Sequence, residues 1–360
     1  MEIPMRIQIK RSCTSLVRLL AASILFVGSL APVPPAAAQQ PGPIITVDNV
    51  LSWLPADTET VIVSQASIRL KDEIRRAARD RSTALSPQDL KDQFFALAAG
   101  MIGIKDDVLA KHLVDSKVLL AVEGSRHFRS PSGLGEMPYE GCQILVFAED
   151  MTAHAEAFWK SSAAAAKLES IQGTRVAVLQ QKMEQDLWTY YVAFPRSNVV
   201  TIATNRDYLS EVLARMKGAR GPRALPGNLP EWKNLDRNAP FWGLRHYDRS
   251  QSEVDPSSPF GGEKSGNFPD EEAVGLAFQF DPERGREAVV TYVTGPTKTA
   301  QDVLNGLFSA QAEPGWKALH PRCRMKAPGV AMCSFELAGS EPAGLFFFLL
   351  MGILGHGVWL

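Results

Sequence analysis

Apolar residues along this chain fall into short β-branched runs separated by windows of helical spacing. TETVIVSQA (58–66) is bounded by turn formers and predicts a strand at the start of the folded part. Further strands are predicted at SKVLLAVEG (116–124), CQILVFAED (142–150), TRVAVLQQ (174–181), LWTYYVAFP (187–195), NVVTIATN (198–205) and PFWGLRHYD (240–248). AVGLAFQFD (273–281) and REAVVTYVTG (286–295) flank PERG, a hairpin signature. Helices are predicted at LKDEIRRAARD (70–80), where charges recur at i,i+4, and at SPQDLKDQFFALAAG (86–100), with Ser86 as N-cap and a Leu90, Phe94, Leu97 core stripe. The Ala-rich MTAHAEAFWKSSAAAAKL (151–168), RDYLSEVLARM (206–216) capped by Asn205, and PTKTAQDVLNGLF (296–308) complete the helical set.

Hairpins precede helices in this order, so the expected fold is α+β, with largely antiparallel sheets and flanking helices. Strands followed by a capped helix recur in both halves, which points to a weak internal duplication. The Gly/Pro-rich stretch at 218–238 connects a first α+β half (51–217) to a second (239–343), and residues 39–50 read as a flexible lead-in. Residues 250–272 read as a long polar loop.

Residues 1–38 have the layout of a secretory signal peptide: Arg6, Lys10, Arg11 and Arg18, an apolar run over 19–33, then Ala36 and Ala38 before a cleavage point at Gln39. The alternative is an uncleaved anchor, for which the apolar run is short. The expected location is therefore outside the cytoplasm: periplasmic or secreted, with a membrane association open. The C-terminal residues 344–360, GLFFFLLMGILGHGVWL, are apolar and uncharged apart from His356. They pack against a sheet, or they contact a membrane or partner through Phe346, Phe347, Phe348 and Trp359.

The 360 residues suffice for a proper core, and 45% hydrophobic with 21% charged residues is a globular composition. A formal net charge of -1, from 38 basic and 39 acidic residues, gives no field to attract a polyanion, which argues against nucleic acid as a partner.

Export changes the reading of the cysteines. Cys323 and Cys333 sit symmetrically about Pro328 in a plausible hairpin, where they form a disulfide or remain two buried thiols. His320 with these two cysteines could instead hold zinc. No nucleophile elbow, zincin, Cys-x-x-Cys or P-loop motif occurs. GPTKT (295–299) only faintly matches a phosphate loop and reads better as a helix start. On a strand, FWGLRHYD places Arg245 and Tyr247 on one face and His246 and Asp248 on the other. His246 and Asp248 could form a base-orienting pair, although nothing nominates a nucleophile, so a surface ion pair is the plainer reading. His112 and His127 read as surface residues. Trp159, Trp188, Tyr190 and Tyr191 are core or groove aromatics.

LPADTETVIVSQ (54–65) and YYVAFPRSNVVTIATNRDYLSEVLARM (190–216) resemble a bacterial family of exported proteins of unknown function that open with a Leu-Pro-Ala-Asp-Thr phrase. The resemblance covers mainly the first half. It implies a secreted or envelope-associated α+β protein and supplies no catalytic residues. The expectation is an exported, non-catalytic binding or envelope-interaction protein without a cofactor, whose partner is an unknown protein or envelope component. A hydrolase using His246 and Asp248, and a scaffold tethered by the apolar C-terminus, are the alternatives.

Overall fold

The computed structural model describes residues 44–65, 68–69, 116–127, 139–162, 167–183, 186–246, 273–280, 287–294, 300–301, 304–305 and 320–336. The helices expected at 70–80 and 86–100 and the loop at 250–272 lie outside these residues.

Among the described residues thirteen strands form one sheet with antiparallel pairings: β1 (Thr60–Ser64), β2 (Ile68–Arg69), β3 (Lys117–His127), β4 (Tyr139–Phe147), β5 (Lys167–Ile171), β6 (Thr174–Met183), β7 (Asp186–Arg196), β8 (Val199–Ala203), β9 (Phe241–His246), β10 (Ala273–Phe280), β11 (Glu287–Thr294), β12 (Arg322–Ala327) and β13 (Val330–Glu336). Their order across the sheet is β12-β13-β11-β10-β9-β1-β3-β4-β8-β7-β6-β5, with β2 beside β3. The expected antiparallel architecture is therefore present and the sheet dominates it. Helices among the described residues are α1 (Val47–Trp53), α2 (Thr152–Ser162) and α3 (Arg206–Met216), plus a 3-10 turn (Pro230–Asn234).

In the first half the antiparallel run β1, β3, β4 is followed by α2 and by β5, β6 and β7, which pair in sequence, before β8 returns to lie beside β4. In the second half β9, β10, β11 are followed by helical residues Ala300, Gln301, Leu304 and Asn305, and the chain returns through β13 beside β11. The halves join where β1 pairs with β9, Ile62 opposite Gly243.

Because side chains alternate across a strand, the sheet has two faces with separate cores. Val61, Val63, Val122, Ile144, Trp242 and Leu244 bury one face against α1 and α3, whose Leu51, Tyr208, Leu209 and Val212 are fully buried. We call this the helix face. Leu145, Phe147, Val192, Val200 and Ile202 bury the reverse face against Phe158 and Trp159 of α2. Full burial of a side chain of this size contributes about 1.5–3 kcal/mol.

Two expectations need correction. The helix expected over 151–168 stops at Ser162, and Lys167 and Leu168 begin β5. That strand sits at the sheet edge with a mostly exposed pattern, so its polar residues hide it from a hydrophobic scan. The lead-in 39–50 is not flexible throughout, since α1 starts at Val47 with a capping box between Thr46 and Asn49.

The Gly/Pro-rich connection is a packed strap. Ala224 and Leu225 are buried, and the Ala224 N–H donates to the Leu51 carbonyl at 3.2 Å. Trp232 meets Trp242 edge to face at 5.8 Å, while Arg223 and Arg237 lie over the Trp232 ring and both reach Asp48.

Candidate functional site

Strand β9 is the element the sequence singled out, and it presents different chemistry on each face. Trp242, Leu244 and His246 point to the helix face; Phe241, Gly243 and Arg245 point to the reverse face, as the strand alternation requires. The strand is anchored at its end by the His246 N–H, which donates to the Glu59 carbonyl at 2.9 Å.

On the helix face, His246 Nδ1 lies 2.9 Å from Oε1 of Glu231, which comes from the 3-10 turn of the strap. Glu231 is completely buried. Its carboxylate rests on Gly275 of β10, the residue directly across from His246, where a Cβ would stand 2.0 Å from Oε1. Glu231 Oε2 is buried with no hydrogen-bond partner among the described residues. A carboxylate on Nδ1 holds a proton there and makes Nε2 the basic nitrogen. The sequence reading gave His246 the carboxylate of Asp248, which lies outside the described residues. Glu231 was missed because it is fifteen residues upstream in a stretch read as linker. It is, however, the sole acid between Gly218 and Leu235, set beside Pro230 and Trp232, and that signal was available.

The reverse face carries the larger cluster. Arg245 stands opposite Thr60, and Thr60 stands opposite Ser125. One step along, Gly243, Ile62, Glu123 and Gln143 form the neighbouring cross-strand row. A further step along β1 brings Ser64. Arg245, Thr60, Ser125, Gln143 and Ser64 are buried and Glu123 is half-buried, so six polar side chains surround Ile62 on the four central strands. Burial pushes the Glu123 carboxyl up to about 7, against the opposing pull of its hydrogen bond from Gln143. Ser64 Oγ is buried with no hydrogen-bond partner among the described residues. Beside this patch the rings of Phe241 and Phe278 lie 5.6 Å apart, and Phe278 covers Gly243, where a Cβ would come within 2.1 Å of the ring. Buried arginine is rare because desolvating it costs far more than a hydrophobic substitute. Of this set the sequence singled out Arg245 and its face; the other five were indistinguishable from ordinary strand residues.

Elsewhere, Cys323 and Cys333 are cross-strand partners in the β12–β13 hairpin and form a disulfide, with the turn at Pro328 and Gly329. The zinc reading with His320 is thereby overturned, since oxidised sulfurs do not ligate, and no metal-binding group occurs among the described residues. Trp159 is core, packed on Phe158 and Phe194 at 5.1 and 5.4 Å, and Tyr190 is buried in the same cluster. Burial raises the Cys142 thiol, with Glu123 adding to the effect, and this keeps it in the unreactive protonated form. Arg126 binds Asp57 at 2.8 Å, Glu140 at 2.6 Å and Glu211 at 3.3 Å, and lies over Tyr208, tying β3 and β4 to α3. His112, the segment 295–299, Phe346, Phe347, Phe348 and Trp359 lie outside the described residues, as do the side chains of His127 and Trp188. Among the described residues no helix is long and apolar enough to cross a membrane.

No protein-family profile matches the chain, and no curated protein matches it. Two solved structures, crystal forms I and IV of TP0453, are similar to it at TM-scores of 0.43 and 0.42, with 11% and 10% sequence identity. The alignments cover 82% and 83% of this chain and 94% and 95% of theirs. Overlap of that extent carries nothing about function.

Proposed function

We propose that the protein is an exported, non-catalytic binding protein that holds a small polar ligand on the reverse face of its central strands. The observation that carries the reading is the buried polar patch around Ile62, where a guanidinium, two hydroxyls, a carboxamide and a carboxyl raised to about 7 converge and the Ser64 hydroxyl has no hydrogen-bond partner among the described residues. A few convergent polar groups in a mostly apolar lining are the usual make-up of a ligand site. Export is supported by the Cys323–Cys333 disulfide, a bond that persists in oxidising compartments.

The test is thermal unfolding against a panel of sugars, amino acids, organic acids and phosphate esters. A ligand at a hundredfold its dissociation constant stabilises by about 2.7 kcal/mol. At least one saturable stabiliser is expected, weakened by Arg245→Lys and untouched by His246→Ala. A panel with no stabiliser at all overturns the binding reading.

A hydrolase remains a second reading because Glu231 orients the His246 ring. It requires His246→Ala to abolish turnover of an ester or amide substrate. The structural role of the Glu231–His246 pair, joining the strap to β9 and β10, accounts for the same contact without chemistry.

A further inference from the structure

Strand β5 ends the sheet, and among the described residues no strand lies beyond it. A two-residue turn joins it to β6, with Gln172 at φ 49 and Gly173 at φ 67 between Ile171 and Thr174. Positive φ at both central residues is the type I′ hairpin turn, which makes Ile171 and Thr174 a hydrogen-bonded pair. Hydrogen-bonded and open pairs alternate from there, so Ser170–Arg175 and Leu168–Ala177 are open pairs. The backbone N–H and C=O groups of Leu168 and Ser170 therefore point away from β6, along the outer edge. That edge is held still: Gln172 Nε2 donates to Ser210 Oγ at 3.0 Å, and the Gln172 carbonyl accepts from Lys217 Nζ. Its side chains are open to solvent at Lys167, Leu168 and Ser170. Leu168, a large apolar residue 39% exposed, continues the reverse-face row of Ala177 and Val192. Lys167 and Glu169 share the helix face, where Glu169 Oε1 lies 3.4 Å from Arg206 Nε.

We propose that β5 is a self-recognition edge, through which two copies of the chain pair antiparallel about a two-fold axis at Leu168. A lysine on an edge strand ordinarily hinders the addition of another strand. Here a glutamate two positions on answers it in one register only. Centred on Leu168, an antiparallel copy sets each Lys167 opposite Glu169 of the other chain and brings the two Leu168 side chains together. Both Leu168 residues then exchange their outward N–H and C=O groups as a hydrogen-bonded pair. Centring on Glu169 would instead oppose two carboxylates, and centring on Lys167 two ammonium groups, both destabilising. The contact is isologous and closes as a dimer with one continuous sheet. It is also small, so the dimer is weak and reversible. The polar patch around Ile62 lies on other strands, so the two readings fail separately.

Sedimentation equilibrium of the full chain, from low to high micromolar concentration, reads the association. A reversible dimer is expected, weakened ten-fold or more by Lys167→Glu, which turns both attractive pairs repulsive. Lys167 is exposed, so the variant should keep the circular dichroism spectrum and unfolding midpoint of the unaltered protein. Cysteine cross-linking reads the register. Opposed Cα atoms of a hydrogen-bonded pair stand about 5.5 Å apart, within reach of a disulfide, so mild oxidation of Leu168→Cys should give a covalent dimer. Ser170→Cys should not, because its two copies would lie four residues apart, about 13 Å. Cys142 is buried and does not compete. A protein that stays monomeric at every concentration overturns the proposal. So does a dimer that Lys167→Glu leaves unchanged, or one that cross-links through Ser170→Cys as readily as through Leu168→Cys.

Discussion

Gly275 leaves room that Glu231 occupies. An added methyl group would stand 2.0 Å from Oε1 and 2.5 Å from the Arg245 carbonyl, so a backbone oxygen or the buried carboxylate would have to shift. Gly275→Ala is expected to separate Glu231 from His246 and leave a buried carboxylate unpaired, at about 2–3 kcal/mol or more. A urea-unfolding midpoint equal to that of the unaltered protein would show that the carboxylate is not held there. Glu123 makes a second residue-scale prediction. Its folded-state carboxyl is raised from 4.5 to about 7. Below pH 4.5 both states bind the proton; between 4.5 and 7 the unfolded chain releases it first, so stability falls as pH rises and then levels off. The full effect is about 3 kcal/mol at 1.4 kcal/mol per unit. Glu123→Gln should remove that slope, read as unfolding free energy at pH 4.5 and pH 8. Neither effect was legible in the sequence, because a lone Gly or Glu on a strand says nothing about what faces it from another element.

Elements were more legible than residues. Strand β8 and helix α3 follow from local rules: β-branched residues in a run, then Asn205, whose side chain accepts from the Asp207 and Tyr208 N–H groups at 2.9 and 3.0 Å. Asn205→Ala should cost about 1 kcal/mol in the same unfolding measurement, and Asn205→Asp should restore most of it. An unchanged midpoint in the alanine variant would mean the helix is held by its buried face alone. The elements that were missed share a cause. Helix α1 has only seven residues, so its Val47, Val50, Leu51 spacing is too brief to stand out, and packing on α3 holds it. Strand β5 is an edge strand whose pairing with β6 overrides an alanine-rich neighbourhood. The strap at 218–238 looked like a linker because glycine and proline usually mark one. Here they let the chain lie flat against α1 and β10, with Asp236 N–H donating to Gln279 Oε1 at 2.6 Å.

At the scale of the molecule, one sheet carries both halves, so β1 and β9 form the seam through which any loosening of the second half reaches the first. The β12–β13 hairpin closes the far edge, and its disulfide spans ten residues. On the chain-entropy account, Cys323→Ser with Cys333→Ser should lower stability by about 2–3 kcal/mol. The check is chemical denaturation with and without reductant: reduction should bring the unaltered protein to the level of the double variant, and no difference would place the hairpin outside the cooperative unit. The hairpin was legible, since a turn at Pro328 and Gly329 sets two cysteines five positions away on either side, but the sequence left open whether they pair or stay as two buried thiols. The amino-acid order by itself determined the strand-rich architecture, the capped helix, the cysteine-flanked hairpin turn and the two-faced character of β9, all consequences of interactions within a dozen residues. Only tertiary structure decided that Glu231 faces His246, that one sheet spans both halves, and that six polar side chains from β9, β1, β3 and β4 meet around Ile62. Those contacts join residues up to some 185 positions apart in a register set by the whole sheet, and no local pattern encodes a neighbour across so long a separation.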